Sequence, residues 1–142
     1  MPSPEERLLR RLVAEVLPSL PLEFNVRPYW LTNPRTGYPL ELDIFVPLLQ
    51  LAFEYNGPQH IWDRSLRERD AFKYQRCFEL GVRLHTVTWS LLKAQDRMRL
   101  LLRRWGADAK AGKSPVLARL KPWKSQDVVE EPFAPLRSLP SP

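Results

Sequence analysis

The hydrophobic positions of the chain change period several times, and each change marks a predicted element. Leu8, Leu9, Leu12, Val13 and Val16 recur at steps of three and four, the spacing of one helical face. Ahead of them Ser3-Pro4-Glu5-Glu6 supplies an N-cap, a proline at the first helical position and a glutamate three residues after the cap. Pro18 ends that run. Residues 22–30 alternate as a short strand, and Thr32 to Gly37 is turn chemistry. Leu40 to Val46 and Leu51 to Asn56 read as two more strands, joined by Pro47 to Gln50 closely enough to pair antiparallel. A helix is predicted from Asp63 to Leu80, closed by Gly81. A strand from Val82 to Trp89 comes next. A last helix from Ser90 to Trp105 carries Leu91, Leu92, Met98, Leu101 and Leu102 on one side and arginines on the other. Beyond Gly106 no period survives, and six prolines fall between Pro115 and Pro142. Residues 1–106 therefore read as one domain, and residues 107–142 as an extended or disordered proline-rich tail. In that tail Trp123, Val128, Val129 and Phe133 are candidates to dock on the body or on a protein partner.

The order α-β-β-β-α-β-α predicts a mixed β-sheet flanked by helices, an α/β or α+β fold. A length of 142 residues with 44% hydrophobic content suits one domain with a core. Charge narrows the partners: 22 Lys+Arg against 16 Asp+Glu give +6, a balance that attracts polyanions, nucleic acid first among them. The single cysteine, Cys77, excludes an internal disulfide and a thiolate-rich zinc site, which fits a reducing cytoplasm. No apolar run is long enough for a membrane span, and the N-terminus lacks the regions of a signal peptide. The 15 prolines beside only 5 glycines point to stiff connections.

Two acids sit where acids are expensive. Glu54 interrupts the apolar strand from Leu51 to Asn56, on the face of Ala52 and Asn56, and Asp43 interrupts the strand before it. If the strands pair across the Pro47 turn, both carboxylates converge at one end of the sheet as hard oxygen ligands suited to Mg²⁺ or Mn²⁺. The alternative is that one or both face solvent on an edge strand. On the next helix Leu66, Asp70, Lys73, Cys77 and Leu80 share one stripe, so Asp70 and Lys73 point the way core residues do. They form either a plain ion pair or an extension of the carboxylate site. His60, just past the strand in Asn56-Gly57-Pro58-Gln59-His60, is placed to carry protons near neutral pH.

The succession Leu42-Asp43-Ile44-Phe45-Val46-Pro47, Ala52-Phe53-Glu54-Tyr55-Asn56-Gly57-Pro58-Gln59-His60, Arg69-Asp70-Ala71-Phe72-Lys73, Cys77 and Gly81-Val82-Arg83-Leu84 resembles the restriction-endonuclease-like superfamily. The likeness is to its branch of very-short-patch-repair and related homing or phage endonucleases, and it covers about residues 3 to 89. It implies a restriction-endonuclease-like core and a metal-dependent endonuclease acting on DNA. Asp43 and Glu54 would bind Mg²⁺ or Mn²⁺, Gln59 or His60 would assist, and Asp70 and Lys73 would complete the site. The superfamily's usual lysine two residues after the strand glutamate is Asn56 here, a place Lys73 would have to fill. Relatives carry a glutamate on the first helix, which points to Glu6, whereas helical geometry puts Glu5 nearer the apolar stripe. The implied reaction is metal-assisted phosphodiester hydrolysis, with Arg64, Arg67, Arg69 and Arg76 on the middle helix and Arg103 and Arg104 on the last gripping phosphates. Two other functions remain open: an inactive nuclease fold that docks on a partner such as transcription or replication machinery, and a DNA-binding adaptor.

Overall fold

The computed structural model describes residues 2–112, apart from the side chains of His60 and Ile61. The elements are α1 (Pro4–Val16), β1 (Glu23–Val26), β2 (Leu42–Val46), a 3₁₀ turn (Pro47–Leu49), β3 (Leu51–Asn56), α2 (Gln59–Trp62), α3 (Arg64–Glu79), β4 (Arg83–Thr88), α4 (Trp89–Leu92) and α5 (Gln95–Lys110). The four strands form one sheet in the order β1-β2-β3-β4. The first three pair antiparallel, and β4 runs parallel to β3, as it must when a helix carries the chain back between them. The protein is thus a mixed α and β fold built on a mixed sheet.

Local chemistry accounts for the boundaries. Ser3 and Glu6 close a reciprocal capping box at the start of α1, with Pro4 at the first helical position. Between β2 and β3 the 3₁₀ turn ends on Gln50 in the left-handed region at φ 49°, which reverses the chain and sets Ile44 opposite Phe53 and Val46 opposite Leu51. Gly81, at φ 77°, stops α3 where a side chain would strain the backbone.

Both faces of the sheet are covered. On one, Leu9, Leu12 and Val13 of α1, Leu92 of α4, and Met98 and Leu102 of α5 pack with Ile44, Val46, Leu51, Phe53 and Val87. On the other, Cys77 of α3 packs with Leu31, Leu40, Leu42, Ala52, Val82 and Leu84. Each fully buried Leu or Val contributes about 1.5–3 kcal/mol of transfer free energy. Alternation along β3 sends Leu51 and Phe53 to the first layer and Ala52 to the second, and Glu54 therefore turns towards α3.

Three expectations need correction. The first strand is shorter than residues 22–30 and stops at Val26. The last helix is two, α4 and α5, broken at Lys93 and Ala94. Helix α5 also runs through Gly106 to Lys110. Gly106 is no terminator: it is buried, and a methyl there would lie 2.9 Å from Leu17 Cδ2, so a missing side chain lets α5 approach α1. Residues 113–142, most of the expected tail with its docking candidates, lie outside the described residues. Among the described residues no helix is long and apolar enough to cross a membrane.

Candidate functional site

The β2–β3 ladder ends at Ile44↔Phe53, and the next residues on the two strands, Asp43 and Glu54, are joined through their side chains. At this step side-chain oxygens stand in for ladder carbonyls. The Asp43 N–H donates to Glu54 Oε2 at 3.2 Å, and the Tyr55 N–H donates to Asp43 Oδ2 at 2.9 Å. The two carboxylates are therefore fixed to each other's strands, and neither faces solvent across an open edge.

Lys73 arrives from α3. It lies one turn before Cys77, and both side chains are buried because they share the stripe of α3 that faces the sheet. Its Nζ donates to Glu54 Oε1 at 2.9 Å and to the Glu41 carbonyl at 2.6 Å. Glu54 is only 5% exposed and Lys73 8%. An ion pair so poorly hydrated persists only when both ends are held by further hydrogen bonds, as these are.

Burial dominates the electrostatics. Desolvation pushes Asp43 up to about 6, against the pull of the Tyr55 N–H and with a further push from Glu6. It pushes Glu54 up to about 7, with Lys73 pulling down and Asp43 pushing up. Two carboxylates meet one ammonium, which leaves an excess of negative charge in a poorly hydrated place. Glu54 Oε1 and Oε2 and Asp43 Oδ2 accept these protein bonds, and because ionised carboxylate oxygens accept more than one bond the pair could still take a hard cation as a further partner. Among the described residues, however, no group of three or more His, Cys, Asp or Glu is arranged to hold a metal ion.

The other predicted residues take varied positions. Glu6 accepts from the Ser3 N–H at 2.9 Å and still acts by its charge on Asp43, while Glu5 and Glu6 together, after burial, raise the Tyr55 phenol. Both glutamates thus lie on the α1 side of the site. Gln59 opens α2, exposed, with its amide folded over Gly57, where a methyl would stand 2.6 Å from Gln59 Oε1. The His60 side chain lies outside the described residues. Asp70 is half-buried one turn before Lys73 and has an interaction of its own. Asn56 turns inward, and its Oδ1 is buried without a hydrogen-bond partner among the described residues.

The arginines divide. Arg76 is committed to structure, donating to the Trp30 carbonyl and to Glu79, each at 3.1 Å. Arg64 pairs with Glu68 at 3.3 Å. Arg67 is half-buried, and Arg69, Arg103 and Arg104 are exposed. Among the aromatic side chains, Trp30 packs edge-on against Phe45, whereas Tyr38 and Trp62 are largely exposed.

Two supports of the site, and one buried histidine away from it, carry no clear signal in the sequence. Glu41 supplies the carbonyl that holds Lys73, and main-chain acceptors leave no mark on residue type. Asn25 sits in the left-handed region at φ 52° inside β1, a conformation Asn tolerates better than most residues. His85 stacks on Trp105 with centroids 4.1 Å apart, and burial pushes it down to about 4.

No protein-family model matches the chain, and no solved structure matches it. Among curated proteins it is similar to Uncharacterized protein 094L of Frog virus 3 (isolate Goorha), 32% identical over 90 residues, which cover 55% of this chain and 58% of that protein. It is also similar to Uncharacterized protein 033L of Invertebrate iridescent virus 3, 38% identical over 78 residues, covering 47% of this chain and 40% of that protein. The chain spans about half the length of these viral relatives, and the likeness carries no activity with it.

Proposed function

We propose that this protein is a metal-dependent endonuclease that hydrolyses DNA phosphodiester bonds on a restriction-endonuclease-like core. One observation carries the reading: a buried Glu54 and a half-buried Asp43 from paired strands sit beside a buried lysine from the helix packed on them, with Lys73 Nζ 2.9 Å from Glu54 Oε1. Asp43 and Glu54 would hold Mg²⁺ or Mn²⁺, and a bound ion would supply Lewis acidity at the scissile phosphate. Lys73 favours the ionised form of Glu54 against burial and orients it, and the lysine occupies the role left open by Asn56. Glu5 and Glu6 add negative charge on the α1 side. Gln59, His60 and Asp70 are proposed as assisting groups at the C-terminal end of β3 and along the helical segment after it. Arg64, Arg67, Arg69, Arg76, Arg103 and Arg104 are the proposed phosphate contacts; Arg64 would have to give up Glu68, and Arg76 already donates from Nε to Trp30 and from Nη1 to Glu79.

A second reading has its own support. Each engaged carboxylate oxygen already has a protein donor, so the cluster also works as a staple joining β2, β3 and α3 in a non-catalytic protein that binds DNA or a protein partner. Incubating supercoiled DNA with Mn²⁺ separates the two. Wild type should nick, and Glu54→Ala and Asp43→Asn should lose at least about 100-fold in rate, the scale expected when an electrostatic transition-state contact is removed. Nicking that is equal in all three preparations, or absent from wild type, would reject the nuclease reading.

A further inference from the structure

The ammonium of Lys73 is held by two acceptors, and one of them, the Glu41 carbonyl at 2.6 Å, belongs to a residue just outside β2. On its far side, the Glu41 side chain is held by a set of contacts. Its Oε1 accepts from Arg27 Nη2 at 3.0 Å, and Arg27 Nη1 donates to the Pro39 carbonyl at 2.9 Å. Its Oε2 accepts from Asn25 Nδ2, while Asn25 Oδ1 accepts from Arg10 Nη2. Both ends of the Asn25 amide are thereby used, one towards α1 and one towards the chain entering β2.

Asn25 adopts φ 52° in the middle of β1, between the pairs Phe24↔Ile44 and Val26↔Leu42. An ordinary strand residue would alternate its side chain and continue the ladder. A left-handed residue redirects the strand locally, and here its amide ends between Arg10 and Glu41. Arg10 is itself steadied over the Phe24 ring, 4.4 Å from the centroid. The contacts form one series running from α1 through β1 and the entry to β2 to α3 and β3: Arg10, Asn25, Glu41, Lys73, Glu54.

We propose that Asn25 is a positioning residue of the carboxylate site: by bridging Arg10 and Glu41 it fixes the Glu41 carbonyl, and through that carbonyl it holds the Lys73 ammonium against Glu54. The activity arm of the test rests on the nuclease reading; the labelling arm does not. Asn25→Gly keeps the backbone conformation and removes the amide. Asn25→Asp keeps the shape and the acceptor for Arg10 but sets a carboxylate against Glu41. In Asn25→Asp/Glu41→Gln the roles of donor and acceptor are exchanged, so the bridge is restored.

The measurement is the rate at which an acylating reagent labels Lys73 in the folded full-length protein, read by peptide mass spectrometry, with the other lysines as internal references. Labelling at Lys73 should rise at least about fivefold in Asn25→Gly and more in Asn25→Asp, and should return to within about twofold of wild type in the double variant, the scale of one to two net hydrogen bonds. In the same proteins kcat for DNA nicking should fall and recover in parallel, with KM little changed, because the amide does not touch substrate. Unchanged Lys73 labelling in both single variants, or no recovery in the double variant while its melting temperature recovers, would overturn the proposal and leave Asn25 a structural tie. Altered Lys73 labelling in the Asn25 variants, with recovery in the double variant, while wild type never nicks DNA would uphold the positioning role and remove the nuclease reading instead.

Discussion

Replacing Lys73 with methionine removes the only cation bonded to Glu54 among the described residues while keeping a side chain of similar length. The size of the loss depends on pH, because Glu54 has two ways to respond. It can stay ionised, buried and unpaired, at a cost of about 3–5 kcal/mol. Or it can take a proton, at about 1.4 kcal/mol for each pH unit above its own value. With Lys73 present that value is already pushed up to about 7 by burial, and without the ammonium it moves higher. At about pH 5 Glu54 is protonated in both proteins, so the loss shrinks to about 1 kcal/mol or less, since the buried methionine offsets the missing hydrogen bonds. At about pH 8 it should reach about 3 kcal/mol, approaching the limit set by the unpaired ion. Urea unfolding followed by tryptophan fluorescence at the two pH values measures this directly. Adding Glu54→Gln should cancel most of the loss at high pH and little at low pH. Equal losses at both pH values, or no rescue by the second substitution, would refute the account of Glu54 as a buried carboxylate kept charged by Lys73.

The remaining expectations rest on the same geometry. Asp43 and Glu54 are raised, so the native state binds more protons than the unfolded chain between about pH 4 and about pH 7; stability from these groups is full below that window and declines through it as pH rises. Saturating Mn²⁺ should flatten that decline, and a melting temperature unmoved by Mn²⁺ at about pH 7.5 would count against cation binding. His85 is pushed down to about 4 and contributes in the opposite sense, its stability present above about pH 6.5 and lost as pH falls towards 4. Its ring signals should stay fixed from about pH 8 to about pH 5.5 in an NMR titration, and a midpoint near 6.5 would show that the stack with Trp105 is open. Gly81→Ala should destabilise by about 1 kcal/mol through backbone strain alone, because φ is 77° and the space beside it is empty; no change in the urea midpoint would mean that α3 ends differently.

Much of this arrangement is legible in residue order. The capping box at Ser3 and Glu6, the alternation of β3 and the stop at Gly81 are local signals, and the structure keeps each of them. The stripe of α3 also reads correctly at Lys73 and Cys77, though Leu80 is 39% exposed because the helix is already ending there. What the sequence hides is tertiary. Gly106 looks like a stop until α1 is seen to pack against it. Arg76 looks like any surface arginine until the Trp30 carbonyl appears beside it. Asn25 and Glu41 look like ordinary polar residues of an edge, since neither a left-handed strand residue nor a carbonyl that holds a lysine has a compositional signature.

The excess of negative charge at Asp43 and Glu54 has an evolutionary corollary. A cluster with more anions than cations sets this fold against its own heat resistance, so a laboratory screen for thermal survival alone should favour Asp43→Asn early. Asparagine can still accept from the Tyr55 N–H while shedding the repelled charge. Persistence of the aspartate across natural variants would then testify to a demand other than folding.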